Sequence, residues 1–111
     1  MKDKQKQQQA YQRFHELVNM APSEIEKWLE TEESKRVGQD SGDGESIGHK
    51  SGKRIVDIKR KKKDDLTESD YGHMHKVISY ISRHTAQEPS HDKETSNWRY
   101  SLKNWGHDPI K

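Results

Sequence analysis

The sequence has no cysteine, and only 26% of its 111 residues are hydrophobic. The missing cysteines exclude disulfide scaffolds, iron–sulfur clusters, cysteine-ligated zinc and thiol catalysis. Long apolar runs are also missing, so the sequence predicts neither a signal peptide nor a membrane span. We therefore expect a cytoplasmic protein, or a nuclear one if the source is a eukaryote, with no membrane partner.

Charged residues dominate the composition and bring it close to that of a disordered chain. They make up 36% of the sequence, and the mean hydropathy is −1.43. Such a chain has little apolar surface to offset its conformational entropy. The net charge is only +2, however, and three Trp, four Tyr and one Phe supply large side chains for a core. We expect one small domain over residues 10–111, preceded by a flexible Lys/Gln-rich segment at residues 1–9.

The spacing of the apolar residues predicts an all-α fold, a small bundle of four to five short helices. Apolar side chains recur at steps of three and four, and no alternating strand pattern is present. A first helix is predicted over residues 10–18. Ser23 and Glu26 have the spacing of a capping box, which predicts a second helix over residues 23–35. Five glycines between residues 38 and 52 then predict a Gly-rich loop.

The second half of the sequence predicts three more helices. A helix that begins at Ser51 and ends at residue 64 would place Ile55 and Ile58 inward. Thr67 is the predicted cap of the longest helix, over residues 68–86. The last helix starts near residue 95 or 96 and ends before Gly106, which stands where a C-terminal cap is expected.

The positive charge is concentrated in one segment. Residues 51–66 carry seven Lys or Arg against three Asp or Glu, whereas the rest of the chain has no excess of positive charge. A basic patch on a nearly neutral chain is typical of proteins with a polyanionic partner, so we predict a non-enzymatic, sequence-independent DNA-binding protein, with DNA favoured over RNA. The predicted phosphate contacts are Lys50, Lys53, Arg54, Arg60 and Lys61 in and after the Gly-rich loop, with Arg99 and Lys103 near the C-terminus. A solvated helix without a partner is the simpler alternative.

Motifs of catalysis and metal binding are weak. Residues 44–48 match G-x-S-x-G, but no strand precedes Ser46 and the chain is too short for the fold that this motif needs. The Gly-rich segment resembles a phosphate loop with one residue too few, and Arg54 replaces the hydroxyl that would hold magnesium. No two histidines have the spacing of a helical zinc site. We expect no catalytic residue, no cofactor and no metal.

A second hypothesis is a protein-interaction module or a homodimer. The helix predicted over residues 23–35 has an acidic face, which would bind the basic helix of the same chain or of a second copy. Trp98 and Trp105 have helical spacing with Leu102, so we expect them to pack in the core rather than stack on nucleic-acid bases. We expect the same of Trp28.

Three blocks of sequence, at residues 22–35, 44–56 and 98–109, resemble a family of small bacterial and fungal proteins known as a domain of unknown function. The resemblance extends from Phe14 to Ile110. Some members of that family are labelled DNA-binding, so the resemblance favours a DNA partner, but it implies no functional residue. Thr85 departs from the pattern, which expects a larger apolar residue there.

Overall fold

The computed structural model describes residues 4–37 and 47–111, and in these ranges it contains six α-helices and no strand. The all-α prediction is confirmed. The helices are α1 (Lys4–Leu17), α2 (Pro22–Leu29), α3 (Glu32–Arg36), α4 (Ile47–Arg60), α5 (Glu68–Thr85) and α6 (Asn97–Asn104). Short 3₁₀ turns at Lys63–Asp65 and Lys93–Thr95 precede α5 and α6.

One core joins the helices. Helix α1 packs against α5, α2 packs against α4, and α6 contacts α2, α3, α4 and α5. The predicted inward positions Ile55 and Ile58 are both buried. Other fully buried side chains of the core are Phe14, Val18, Ile25, Met74, Val77, Ile81 and Leu102. Burial of each such side chain contributes about 1.5–3 kcal/mol, so this small set supplies most of the driving force for folding.

Helix α1 starts earlier than the first helix predicted from the sequence, over residues 10–18. It begins at Lys4, so residues 4–9, which were predicted to be flexible, are helical. Lysine and glutamine are good helix formers, and the helix is held further along by Ala10 and Phe14, which are buried. The helix therefore extends backwards from its packed end.

The predicted capping box of Ser23 and Glu26 is wrong. Helix α2 begins one residue earlier, with Ala21 at the N-cap and Pro22 in the first turn, a position that suits the fixed φ of proline. Glu24 accepts a hydrogen bond from the Ala21 amide at 2.8 Å. The proline thus moves the start of the helix and changes which glutamate completes its first turn.

The predicted helix over residues 23–35 is in fact two helices. Thr31 interrupts it, and its hydroxyl accepts a hydrogen bond from the Ser34 amide at 3.1 Å, which starts α3. Ser34 in turn donates its hydroxyl to Asn104 Oδ1 at 2.5 Å, and the Trp28 indole donates to the same oxygen at 2.7 Å. Asn104 returns a bond from Nδ2 to the Ser34 carbonyl at 3.1 Å. This buried polar cluster fixes α2, α3 and α6 together.

The prediction of a Gly-rich loop is wrong over residues 47–52, which form the start of α4; residues 38–46 lie outside the described residues. Gly48 and Gly52 are buried because they face α6. A Cβ on Gly52 would lie 2.7 Å from the Asn104 carbonyl oxygen and 2.8 Å from Leu29 Cδ2. These glycines therefore permit close helix packing, rather than an exposed turn.

The predicted Thr67 cap of α5 is confirmed, and α6 begins close to the predicted start at residue 95 or 96. The Thr67 hydroxyl accepts a bond from the Asp70 amide at 3.1 Å, and Asp70 accepts one from the Thr67 amide at 3.0 Å. Ser96 caps α6 by accepting a bond from the Arg99 amide at 3.1 Å. Gly106, just past α6, has a φ of 81°, which favours glycine.

Candidate nucleic-acid interface

The basic residues at the end of α4 pair with carboxylates of the same chain. Arg60 donates two hydrogen bonds to Glu26 on α2, at 2.8 and 2.9 Å. Lys61 donates to Asp70 on α5 at 2.8 Å. Both cations were predicted to hold phosphates, and both instead connect α4 and its end to a neighbouring helix.

Asp70 is the most buried carboxylate among these partners, at 2% exposure. It also accepts a bond from Arg54 Nη2 at 3.2 Å. Burial alone would raise the pKa of Asp70, but the bonds from Lys61, the Thr67 amide and Arg54 hold that pKa well below its usual range. The carboxylate thus stays ionised and neutralises part of the charge of two predicted contacts.

The C-terminal pair of predicted contacts has a similar intramolecular role. Arg99 donates to both carboxylate oxygens of Asp108, each at 3.0 Å. The Lys103 ammonium lies 4.2 Å from the centroid of the Trp28 ring, a cation–π contact, and burial lowers the pKa of Lys103. Arg99 and Lys103 therefore hold the C-terminal segment and α2 against α6.

The remaining predicted contacts separate onto two faces of α4. Lys53 is exposed and lines a cavity that includes Glu26 and Glu30. Lys50 and Arg54 line a different cavity, between α4 and α5. The structure thus does not bring the seven predicted residues together, but it does place two of them side by side.

Two adjoining cavities form a groove between the first half of α4, one face of α5 and the end of α6. Their volumes are about 420 and 280 Å³, and they share Ile47, Lys76 and Trp105. We call this surface the α4–α5 groove. It is lined by Ile47, Gly48, Lys50, Ser51, Arg54, His73, Lys76, Tyr80, Arg83, His84, Ser101, Asn104 and Trp105.

The groove is positively charged. Four of its lining residues are cations, namely Lys50, Arg54, Lys76 and Arg83, and none of the described residues that line it is an aspartate or glutamate. Arg54 shares Asp70 with Lys61. Lys76 and Arg83 form no ion pair within the part of the chain that the structure describes. A concave surface with one sign of charge attracts anions more strongly than scattered surface charges do.

A row of nearly parallel rings forms one wall of the groove. Tyr80 stacks on Trp105 with centroids 4.2 Å apart and on His84 with centroids 4.3 Å apart. His73 lies nearly parallel to Trp105, with centroids 6.3 Å apart. Trp105 is 5% exposed, so its predicted role in the core is confirmed, while the other three rings are partly exposed.

His73 connects the groove to α4. Its Nε2 lies 2.9 Å from the Ser51 hydroxyl. Burial, with the nearby charges of Arg54 and Lys76, lowers the pKa of His73 to about 4. The imidazole is therefore neutral at pH 7, and the positive charge of the groove comes from its lysines and arginines.

Sequence reasoning missed the contribution of α5 to this surface. Lys76, Tyr80 and Arg83 follow one another at steps of four and three, which places them on one side of the helix. Helical spacing was used there only for apolar side chains, which on α5 form a stripe that includes the buried Met74 and Ile81. A search for cations and rings at helical spacing beside that stripe would have found the second face.

The remaining features considered in the sequence are a catalytic serine motif, metal ligands and membrane spans. Ser46 of the G-x-S-x-G match lies outside the described residues. Within residues 4–37 and 47–111, no three side chains of the metal-binding types form a group that could hold a metal ion. No helix in these ranges is long and apolar enough to cross a membrane.

Comparison with known proteins identifies a family whose function is unknown. The model of a family described as a protein of unknown function (DUF3140) matches residues 13–103. The chain belongs to this family. The matched region contains α2 to α5 and most of α6, so the groove is built largely from the family's own segment, with Asn104 and Trp105 just beyond it. Neither the curated proteins nor the solved structures include a match.

Proposed function

We propose that the chain binds DNA without enzymatic activity and that the α4–α5 groove is the contact surface. The observation that carries this proposal is the convergence of Lys50, Arg54, Lys76 and Arg83 on one groove whose described lining brings no carboxylate. Phosphate oxygens are the partners that such cations prefer in nucleic acids. The groove would neutralise about four phosphates.

This proposal moves the contact surface relative to the sequence-based prediction. Arg60, Lys61, Arg99 and Lys103 would each have to leave an intramolecular partner before binding a phosphate. Lys76 and Arg83 have no carboxylate to leave within the described residues. Lys76 and Arg83 of α5 are therefore the main phosphate contacts of this proposal. Lys50 and Arg54 of α4 lie beside them, and Arg54 would have to leave Asp70, as Lys61 would.

Binding of this kind depends on salt, and the salt slope tests it. Log affinity for DNA should fall linearly with log salt, by about 0.9 per phosphate contact on a duplex and about 0.7 on a single strand. The double variant Lys76→Gln/Arg83→Gln should lower the affinity about tenfold at low salt and flatten the slope by nearly two contacts. Fluorescence anisotropy of a labelled oligonucleotide at several salt concentrations measures both quantities.

The matched control removes the same charge elsewhere. Lys27 and Lys35 are exposed on α2 and α3 and lie outside the groove. The variant Lys27→Gln/Lys35→Gln should change affinity and slope much less. Equal losses in the two double variants would show that general charge, not the groove, binds DNA. An affinity that is absent at low salt, or independent of salt, would contradict DNA binding itself.

The homodimer hypothesis has less support. Helices α2 and α4, the acidic and basic elements that would pair between copies, already pack against each other within one chain. Their best ion pair, Arg60 with Glu26, is made intramolecularly. A salt-sensitive dimer in light scattering, together with no DNA affinity, would restore this alternative.

A further inference from the structure

The two cavities of the α4–α5 groove differ in chemistry. The smaller one, of about 280 Å³, contains Lys50, Ser51, Arg54 and His73 beside the shared Lys76, so it is cationic and offers a hydroxyl. The larger one, of about 420 Å³, contains the rings of Tyr80 and His84 beside the shared Trp105, together with Arg83 and Ser101, so it adds aromatic surface to the cations. A surface built only to follow a phosphate backbone needs no aromatic cavity next to the cationic one.

The shared residues place the two chemistries next to each other. Ile47, Lys76 and Trp105 line both cavities, so the cationic end and the aromatic end adjoin at these residues. A nucleotide has the same division, because its phosphate is a compact anion and its base is a flat ring with polar edges. The larger volume, about 420 Å³, is in the range of pockets that hold small molecules, and the smaller cavity adjoins it.

The aromatic row provides a surface on which a base can stack. Trp105 and Tyr80 are already in face-to-face contact at 4.2 Å, so a base does not insert between them. The row continues to His84, which stacks on Tyr80 at 4.3 Å and lines the larger cavity with part of its ring exposed. A base that lies on the His84 end extends the row by one ring, and the Ser101 hydroxyl lies in the same cavity for its polar edge.

We propose that the groove holds one unpaired nucleotide of a DNA strand, with its phosphate in the cationic cavity and its base against the row of His84 and Tyr80. This proposal rests on the DNA binding proposed above and specifies single-stranded DNA as the ligand. A paired base is stacked inside the duplex and does not reach the cavity, whereas an unpaired base does. The protein therefore binds single-stranded DNA more tightly than duplex DNA.

Three DNA probes of equal length separate charge from stacking. They are a deoxythymidine 12-mer, a 12-mer of abasic residues with the same phosphates, and a 12-base-pair duplex. At one fixed salt concentration, the deoxythymidine strand should bind about tenfold more tightly than the abasic strand, because stacking on aromatic side chains favours each base by a factor of this order. The duplex should bind more weakly than the deoxythymidine strand.

The variants His84→Leu and His84→Phe test the end of the row on which the base lies. Removing the ring should bring the affinity for the deoxythymidine strand close to that for the abasic strand, while the affinity for the abasic strand and the salt slope stay unchanged. His84→Phe keeps a ring and should retain the preference. Circular dichroism checks that both variants fold, and the comparison of probes on the unmodified chain needs no variant at all.

The outcomes distinguish this proposal from the one on which it rests. Equal, salt-dependent affinities for the deoxythymidine and abasic strands would overturn the stacking site and leave DNA binding in place. A duplex that binds as tightly as the single strand would also overturn it. Salt-dependent binding of no probe would overturn DNA binding, and the stacking site with it.

Discussion

Both halves of α4 carry lysine and arginine in the sequence, but their surroundings differ in the structure. In the first half, residues 47–54, small residues face α6, and Lys50 and Arg54 line the α4–α5 groove. In the second half, residues 55–60, apolar side chains enter the core and Arg60 pairs with Glu26. The comparison teaches that the number of cations in a helix does not measure the charge it offers to a partner.

In the second half of α4, Lys59 is the clearest example of a cation that is held by the fold itself. Its ammonium donates to the carbonyl oxygens of Val18 and Met20 at 3.2 and 3.1 Å, just after α1 ends. A cation near the C-terminal end of a helix is favourable, and partial burial lowers the pKa of Lys59. This residue belongs to the conspicuous basic run of the sequence, yet it stabilises a helix end.

The largest expected effect tests the close packing of the first half. Gly52→Ala would place a methyl group 2.7 Å from the backbone oxygen of Asn104 and 2.8 Å from Leu29. Because a backbone atom cannot move cheaply, we expect a loss of about 1–3 kcal/mol in the free energy of unfolding. Urea unfolding followed by circular dichroism measures it.

Gly72 in α5 is the matched control. A Cβ on Gly72 would meet no atom within 4 Å, so Gly72→Ala should stabilise the chain by about 0.5–1 kcal/mol through helix propensity alone. The two substitutions are chemically identical and should have opposite signs. Stabilisation by both would mean that residues 48–52 do not pack closely on α6.

A feature of the fold could be predicted from the sequence where its physical cause lies within a few residues along the chain. The Thr67 cap, the start of the last helix and the inward positions Ile55 and Ile58 follow from residues a few positions apart, and the structure confirms them. The start of α4 does not follow, because Gly48 reads as a loop residue until α6 is known to lie against it. Propensity favours a loop there, and packing overrides it.

The candidate site is less predictable than the fold. Lys50 and Arg54 were identified from charge alone, but Lys76 and Arg83 come from a helix without a basic excess. The carboxylates that neutralise Arg60 and Lys61 are remote in sequence or separated by a turn. Which cations remain near a groove is decided by tertiary contacts, and a single sequence does not contain these explicitly.

A prediction of intermediate size concerns the pH dependence of the free energy of unfolding, through His73 between α4 and α5. The pKa of His73 is lowered to about 4 from an ordinary value of 6.5. The unfolded chain therefore binds more protons than the folded chain between these values, so the free energy of unfolding rises with pH there. The contribution of neutral His73 to the free energy of unfolding is complete above about pH 6.5 and is lost as the pH falls to about 4. The polar and charged groups that face this ring are Ser51, Arg54, Asp70 and Lys76.

The variant His73→Gln measures this contribution. Because the ring is only partly buried, solvent screens the effect, and we expect a difference of about 1 kcal/mol in pH dependence between pH 4 and 7. His75→Gln, an exposed position on the same helix, should leave the pH dependence of the unmodified chain intact. If the two variants had the same pH profile, His73 would not be partly buried against α4 in solution.

The smallest expected effect contrasts one cation from each half of α4. Lys50→Gln, in the groove, should flatten the salt slope of DNA binding by about 0.7–0.9, the value of one phosphate contact. Arg60→Gln should leave that slope unchanged, since Arg60 lies outside the groove and its guanidinium is held by Glu26. The two variants lose the same charge from the same helix, so any difference between their slopes reports position rather than net charge. A flatter slope for Arg60→Gln than for Lys50→Gln would place the DNA contact on the second half of α4, where the sequence alone had put much of it.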